Sequence, residues 1–316
     1  MRIAPTQWRL LHAAAEKNLR APAQSLIDCG VFTTRMPPRR YKNLVPDSPL
    51  HHDLELLVRE NQGSASLAEV CEQVLHIPAT DPLLAASLVE TLLEEDPRFR
   101  LNGNGTVDWA EISSEEAWRR CRRYAVVDVE TNNGVREQQR IIEIGLSIVE
   151  DGCLVREWSS LVNPQRPIPF WVRQLTGIRD ADVRSAPLIE ELLPAFLEEI
   201  EDAILVAHHA PFDVGCLNIE LARLWGLRLA NPYLCTVELS RRFLPGSENY
   251  RLETLSRWLR LTHTQPHRAG SDARATAELF LHLLGTPDIP WSEFLRPRAP
   301  HPPDGNFVET NPPAHA

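Results

Sequence analysis

The chain has 316 residues, 43% of them hydrophobic and 24% charged, a balance that excludes wholesale disorder and suits two globular domains. No stretch approaches the roughly 18 uninterrupted apolar residues of a membrane span, and the apolar patch at 10–15 runs into Glu16 and Lys17, so neither an anchor nor a secretion signal is expected. With 33 basic and 43 acidic side chains the net charge is −10, so contact with nucleic acid would need metal ions or a local basic patch to offset phosphate repulsion.

Cys29, Cys71, Cys121, Cys153, Cys216 and Cys235 form no C-x-x-C pair. That pattern argues against a zinc ribbon or a disulfide framework and fits reduced thiols in a cytoplasmic protein.

Three regions follow in chain order: a mainly helical domain over 1–117, an α/β domain over 118–285 and a proline-rich tail over 286–316. In the first, the run 31–45 holds Arg35, Arg39, Arg40, Lys42 and Tyr41 with no acid. It reads either as a solvated basic loop or as a strip that follows a phosphate backbone. Ser66-Leu67-Ala68-Glu69 has the form of a capping box, and Asp81-Pro82 starts a helix with Leu83, Leu84, Leu88, Leu92 and Leu93 near one face. Strand, turn and strand follow over 98–109. Helix, helix and hairpin resemble a winged helix at 66–110, a pattern that many small helical domains share.

Beyond Tyr124 strands alternate with helices. Strands are expected over 124–127, 141–149 and 154–162, the last two joined by the hairpin turn Glu150-Asp151-Gly152. Helix 188–200, strand 203–207, helix 212–225, a strand near 233–236 and helices near 236–244, 251–259 and 272–284 complete a mixed sheet covered by helices. The tail carries eight prolines after Gly285 and too few apolar residues for a core. It is expected to be mobile, with one docked turn around Trp291 and Phe294.

Asp128-Val129-Glu130 closes the first strand of that sheet. Strand side chains alternate faces, so Asp128 and Glu130 project together, and two adjacent carboxylates repel unless a cation lies between them. Alone, such a pair is commonly a solvated strand end. Asp213, after His208-His209-Ala210-Pro211-Phe212, and Asp272, five residues after His267, each stand near a helix start, where an acid also complements the helix dipole. Four acids and a histidine at the strand ends and helix starts of one sheet can converge in its cleft.

The segments Val127-Asp128-Val129-Glu130-Thr131, Arg140-Ile141-Ile142-Glu143-Ile144-Gly145, Leu175-Thr176-Gly177-Ile178, Val206-Ala207-His208-His209-Ala210-Pro211-Phe212-Asp213 and His267-Arg268-Ala269-Gly270-Ser271-Asp272-Ala273 resemble, in order and spacing, the DEDDh exonucleases, the DnaQ-like group that contains the epsilon proofreading subunit of DNA polymerase III. The resemblance covers about 124–284. It implies a ribonuclease H-like fold with a mixed five-stranded sheet and removal of nucleotides in the 3′ to 5′ direction.

It further implies two Mg²⁺ or Mn²⁺ ions held by Asp128, Glu130, Asp213 and Asp272, with His267 as general base, because hard oxygen ligands suit such ions and imidazole titrates near neutrality. Thr131, Thr176, Gly177, Ile178, His209 and Phe212 fall where the family meets its substrate; 176–178 equally reads as a plain turn. His209 stands where the family commonly has asparagine, and the loop 132–139 is more polar than in many relatives. The implied partners are single-stranded or frayed 3′ ends of DNA, with a polymerase or repair complex as the setting. A ribonuclease trimming RNA 3′ ends is the nearest alternative. The presence of all four acids and the histidine argues against a non-catalytic DNA-binding regulator.

Overall fold

The computed structural model describes residues 37–78, 81–94, 96–110, 114–132 and 139–296, all within the unit 34–316. Strand β1 (Leu44–Pro46) is followed by helix α1 (Pro49–Glu60), which begins with Pro49 in the first turn while the Ser48 hydroxyl accepts the His51 N–H. After β2 (Ser64–Ser66), α2 (Leu67–Glu69) opens on the expected capping box: the Ser66 hydroxyl accepts the Glu69 N–H at 3.2 Å and the Glu69 carboxylate accepts the Ser66 N–H at 2.7 Å. A π-helical turn, Val70–Val74, extends it.

Helix α3 (Pro82–Leu93) starts as expected, with the Asp81 carboxylate accepting the Leu83 and Leu84 N–H groups. Of its leucines only Leu92 and Leu93 pack, partly buried, against the core of this module. Ala85 and Val89 point into the core, whereas Leu83, Leu84 and Leu88 are exposed. Small side chains let the helix approach α2, the π-helical turn and β3 (Phe99–Leu101), which forms a hairpin with β4 (Thr106–Trp109). The three strands make an antiparallel sheet in the order β2-β4-β3.

Helix α4 (Ser114–Arg120) leads into the larger sheet. Strand β5 (Arg123–Thr131) pairs antiparallel with β6 (Ile141–Glu150), which pairs antiparallel with β7 (Cys153–Leu161). Asp151 and Gly152 both have positive φ, +47° and +75°, the geometry that lets a two-residue turn follow the strand twist. Two short helices that the sequence did not announce come next, α5 (Phe170–Thr176) and α6 (Asp180–Val183). Helix α7 (Ile189–Ile200), β8 (Ile204–Ala207), α8 (Ala210–Trp225), β9 (Leu227–Leu229), β10 (Tyr233–Cys235), α9 (Thr236–Phe243), α10 (Leu252–Leu259), α11 (Ala269–Leu284) and α12 (Trp291–Phe294) complete the order.

The five strands run β10-β8-β5-β6-β7, with β8 parallel to both β10 and β5. One face buries Val127, Val129, Leu146 and Ile148 against α7 and α8; the other buries Val126, Val149 and Val206 against α11. This mixed, helix-covered sheet is the ribonuclease H-like arrangement that the resemblance implies. The turn expected near Trp291 and Phe294 is α12, with Trp291 stacked on Trp118 at 4.8 Å and Phe294 edge-on to Phe243 at 5.4 Å. The expected mobile stretch from 297 onward lies outside the described residues, as do Arg35, Cys29 and most of the loop 132–139.

A third, two-stranded sheet and a buried ion cluster link the three-stranded module to the five-stranded one. β1 pairs antiparallel with β9, and buried Glu55 on α1 receives Arg98 from beside β3 and, at 2.7 Å, Arg228 from β9. The described part of the basic run is engaged in the same junction. Arg39 pairs with Glu198 at 3.4 Å, Arg40 donates to the Glu94 carbonyl at 2.8 Å, and Tyr41 is buried in the main core beneath the Arg39 guanidinium. Tyr41 is therefore a packing residue and offers no ring for a base to stack on. Among the described residues no helix is long and apolar enough to cross a membrane.

Candidate active site

Strand β5 carries Asp128 and Glu130 on one face, as the alternation requires, and both are half-buried. Val129 between them sits in the core, and its N–H donates to the Asp213 carboxylate at 3.1 Å. Asp213 is buried in the first turn of α8 and is thereby tied to the strand that bears the first two acids. Asp272 occupies the first turn of α11, which begins at Ala269, three residues earlier than expected.

Close approach of α11 to the sheet requires a glycine. A Cβ on Gly145 would lie 2.0 Å from the Ala269 carbonyl oxygen, so only a bare backbone on β6 admits the start of this helix. Beside it, buried Glu143 accepts Arg268 at 2.8 and 3.0 Å and the Ala269 N–H at 2.9 Å. Strand β6 thus fixes where α11, and with it Asp272, begins.

The four acids feel one another. Burial first, and then the charges of Asp213, Asp272, Glu130 and Glu143, push the Asp128 carboxyl well above the usual carboxylate range. Burial, then Asp272 and Glu143, push Glu130 up to about 8, against the opposing pull of Arg268. Asp213 is raised chiefly by burial, although the Val129 N–H favours its ionised form. Carboxylates so placed either hold protons or share cations. Glu130, His267 and Asp272 each offer an atom within 4.8 Å of the others', and the oxygen-rich donor set fits a hard divalent ion.

His267 lies just before α11 in the left-handed region at φ +61°, with its N–H donating to Asp272 at 3.2 Å and its ring 3.5 Å from Glu253. The ring is half-buried, with part of it open to solvent. His208, at the end of β8, is a different kind of histidine. Its Nε2–H donates to the Tyr250 carbonyl at 3.0 Å, its Nδ1 accepts from the Thr236 hydroxyl at 2.9 Å, and burial pushes its pKa down to about 4. It is a neutral tie between β8, α9 and the segment before α10.

The residues expected at the substrate are distributed less uniformly. His209, at φ +81°, caps α8 in a left-handed conformation that asparagine adopts more readily, and Phe212 packs half-buried on the main core. Thr131 ends β5, buried, with its hydroxyl accepting from Gln139 at 3.2 Å. Thr176 and Ile178 are also buried: the Thr176 hydroxyl donates to the Val172 carbonyl at 2.9 Å and accepts the Ile178 N–H at 3.1 Å, while Ile178 packs with Ile142, Ile168 and Val172. Gly177, at φ +73° with open space beyond its Cα, ends α5. Both side chains of this turn therefore do structural work, and its backbone at Gly177 is the open part.

Three neighbours of the site were not read from the sequence: Glu143, Arg268 and His263, whose Nε2–H donates to Asp272 at 2.7 Å. Glu143 and Arg268 lay inside recognised motifs, but their pairing across 125 positions is a tertiary fact. No local signal marked His263.

The fold and the gathered acids define a ribonuclease H-like protein with a carboxylate-lined site. The family model described as exonuclease, RNase T, matches residues 125–280. A PolC-type DNA polymerase III of Caldanaerobacter subterraneus subsp. tengcongensis is 42% identical over 161 residues, 51% of this chain and 11% of that protein. The 3′-5′ exonuclease DinG of Bacillus subtilis is 39% identical over 165 residues, 52% of this chain and 18% of that protein. The epsilon subunit of DNA polymerase III of Aquifex aeolicus is 35% identical over 161 residues, 51% of this chain and 80% of that protein. The chain belongs to the RNase T exonuclease family. It spans less than a fifth of the length of the first two relatives.

Proposed function

We propose that this protein is a metal-dependent exonuclease that hydrolyses DNA from the 3′ end to nucleoside monophosphates. The observation that carries the reading is the convergence of Asp128, Glu130, Asp213 and Asp272 on one half-buried cluster, in a chain of exonuclease family. The 3′ to 5′ direction and DNA as substrate come from the likeness to the epsilon subunit and to DinG.

In this reading Asp128, Glu130, Asp213 and Asp272 would hold two Mg²⁺ or Mn²⁺ ions. Such ions, when bound, supply a nucleophile at neutral pH and neutralise charge on the phosphoryl and leaving oxygens. His267, half-buried beside Asp272, accepts the proton of the attacking water, a role suited to imidazole. Asp213 also keeps β5 registered on α8 through the Val129 N–H, so the acids on the strand stay in line. Neutral His208 holds β8 to α9 behind the site and adds no charge to it.

The order helix, strand, helix, helix, hairpin over 49–109, with sheet order β2-β4-β3, supports reading the preceding module as a winged helix. Because β1, Glu55 and Arg228 tie it to the catalytic part, it would present nucleic acid to the site in a fixed orientation. The experiment that tests the whole reading compares 5′-labelled single-stranded DNA, mismatched duplex and RNA of matched sequence, with Mg²⁺ and with chelator. Shortening of DNA from its 3′ end only with Mg²⁺ is expected. Faster shortening of RNA would reassign the substrate, and cleavage in chelator would refute metal dependence.

A further inference from the structure

The segment 260–268, which brings His267 from α10 to α11, is held to α11 at successive points. The Thr262 N–H donates to Glu278 at 2.6 Å, the Gln265 N–H to the Ser271 hydroxyl at 3.0 Å and the His267 N–H to Asp272 Oδ2 at 3.2 Å. Between them the ring of His263, only 5% exposed, donates Nε2–H to Asp272 Oδ1 at 2.7 Å.

We infer that His263 is a positioning residue for divalent-ion binding, acting through Asp272 and through the segment that carries His267. The inference rests on the proposed metal-dependent reading. A carboxylate in the first turn of a helix can rotate among several staggered positions. Here one oxygen is fixed by the His263 ring and the other by the His267 N–H, and each keeps a second lone pair for a further partner. The second of these contacts ends on the backbone of His267, which stands in the left-handed conformation that a non-glycine residue adopts only where its surroundings impose it. His263 thus couples the direction of a ligand carboxylate to the placement of the candidate base, and it does so from a buried position that substrate does not reach. Hydrogen-bond partners of metal ligands tune affinity in this way generally.

The test is direct Mn²⁺ binding to the full chain by calorimetry, without substrate, for wild type, His263→Phe, His263→Ala and His263→Gln. Phenylalanine fills the ring's volume but removes the donor, and alanine serves as a second donor-less variant if the phenylalanine does not pack. Glutamine returns an N–H at similar reach. The donor-less variants should bind Mn²⁺ about 10 to 100 times more weakly while keeping the wild-type circular dichroism spectrum, and His263→Gln should recover most of the loss. In DNA cleavage the same variants should need correspondingly more Mn²⁺, with a smaller change in turnover at saturating ion. Wild-type Mn²⁺ affinity in a folded donor-less variant overturns the inference. Wild-type protein that binds Mn²⁺ but leaves DNA intact would instead overturn the exonuclease reading and leave His263's role standing.

Discussion

The Asp213 carboxylate accepts the backbone N–H of Val129 at 3.1 Å, joining the helix that bears one acid to the strand residue between two others. An asparagine retains an acceptor oxygen and loses the charge, whereas alanine loses both. Asp213→Asn should therefore melt no lower than wild type in chelator yet lose at least about 100-fold in DNA turnover, while Asp213→Ala should lose activity and melt below Asp213→Asn, by about 1 to 3 kcal/mol in stability. Equal melting points for the two variants would show that the Val129 contact contributes nothing.

The mutual repulsion of the acids makes a prediction opposite to ordinary core damage. Asp128→Asn replaces a carboxyl that burial and the neighbouring charges penalise in its ionised form with a neutral group of the same shape, so in chelator it should melt above wild type. With Mg²⁺ the order should reverse, because wild type gains ion binding and the variant does not. Thermal melts in both conditions test this, and a variant that melts below wild type in chelator contradicts it.

Stability should also depend on pH. Glu130 titrates at about 8 in the folded protein, whereas an unfolded glutamate titrates near 4.3. Between those values the native state binds more protons than the unfolded chain, so stability falls as pH rises. Asp128 and Asp213 are shifted in the same direction and add to the effect. In chelator the melting temperature should drop from pH 5 to pH 8, and saturating Mg²⁺ should flatten the slope. A melting temperature that climbs over that range would contradict these assignments.

Gly145→Ala places a methyl group against the Ala269 carbonyl and must push α11 away from β6. A loss of about 3 kcal/mol is expected, at the upper end for an overpacked contact, with weaker Mn²⁺ binding because Asp272 moves with the helix. Denaturant unfolding together with Mn²⁺ calorimetry measures both, and unchanged values would mean that the helix start is not fixed by β6. His267→Ala leaves these contacts in place and should reduce turnover about 100-fold or more with little change in DNA affinity.

The acids were legible because their motifs are local: a D-x-E in a strand shows both side chains on one face before any fold is known. The hairpin at Asp151-Gly152 and the capping box at Ser66 were legible for the same reason. What the sequence hid depends on what the rest of the chain covers. Leucine spacing on α3 suggested one shared face, yet packing buries the smaller Ala85 and Val89, keeps Leu92 and Leu93 partly buried and leaves Leu83, Leu84 and Leu88 exposed. The segment around Thr176-Gly177 read as a turn, and the preceding α5 was missed because its seven residues follow a run rich in proline. Glu143 and His263 matter through Arg268 and Asp272, partners that only the folded chain supplies.

The most direct test of the account is anomalous diffraction from a crystal soaked in Mn²⁺. The account predicts manganese between Asp128, Glu130, Asp213 and Asp272, and its loss from a crystal of Asp128→Ala. Strong manganese peaks elsewhere, with those carboxylates bare at saturating Mn²⁺, would contradict it.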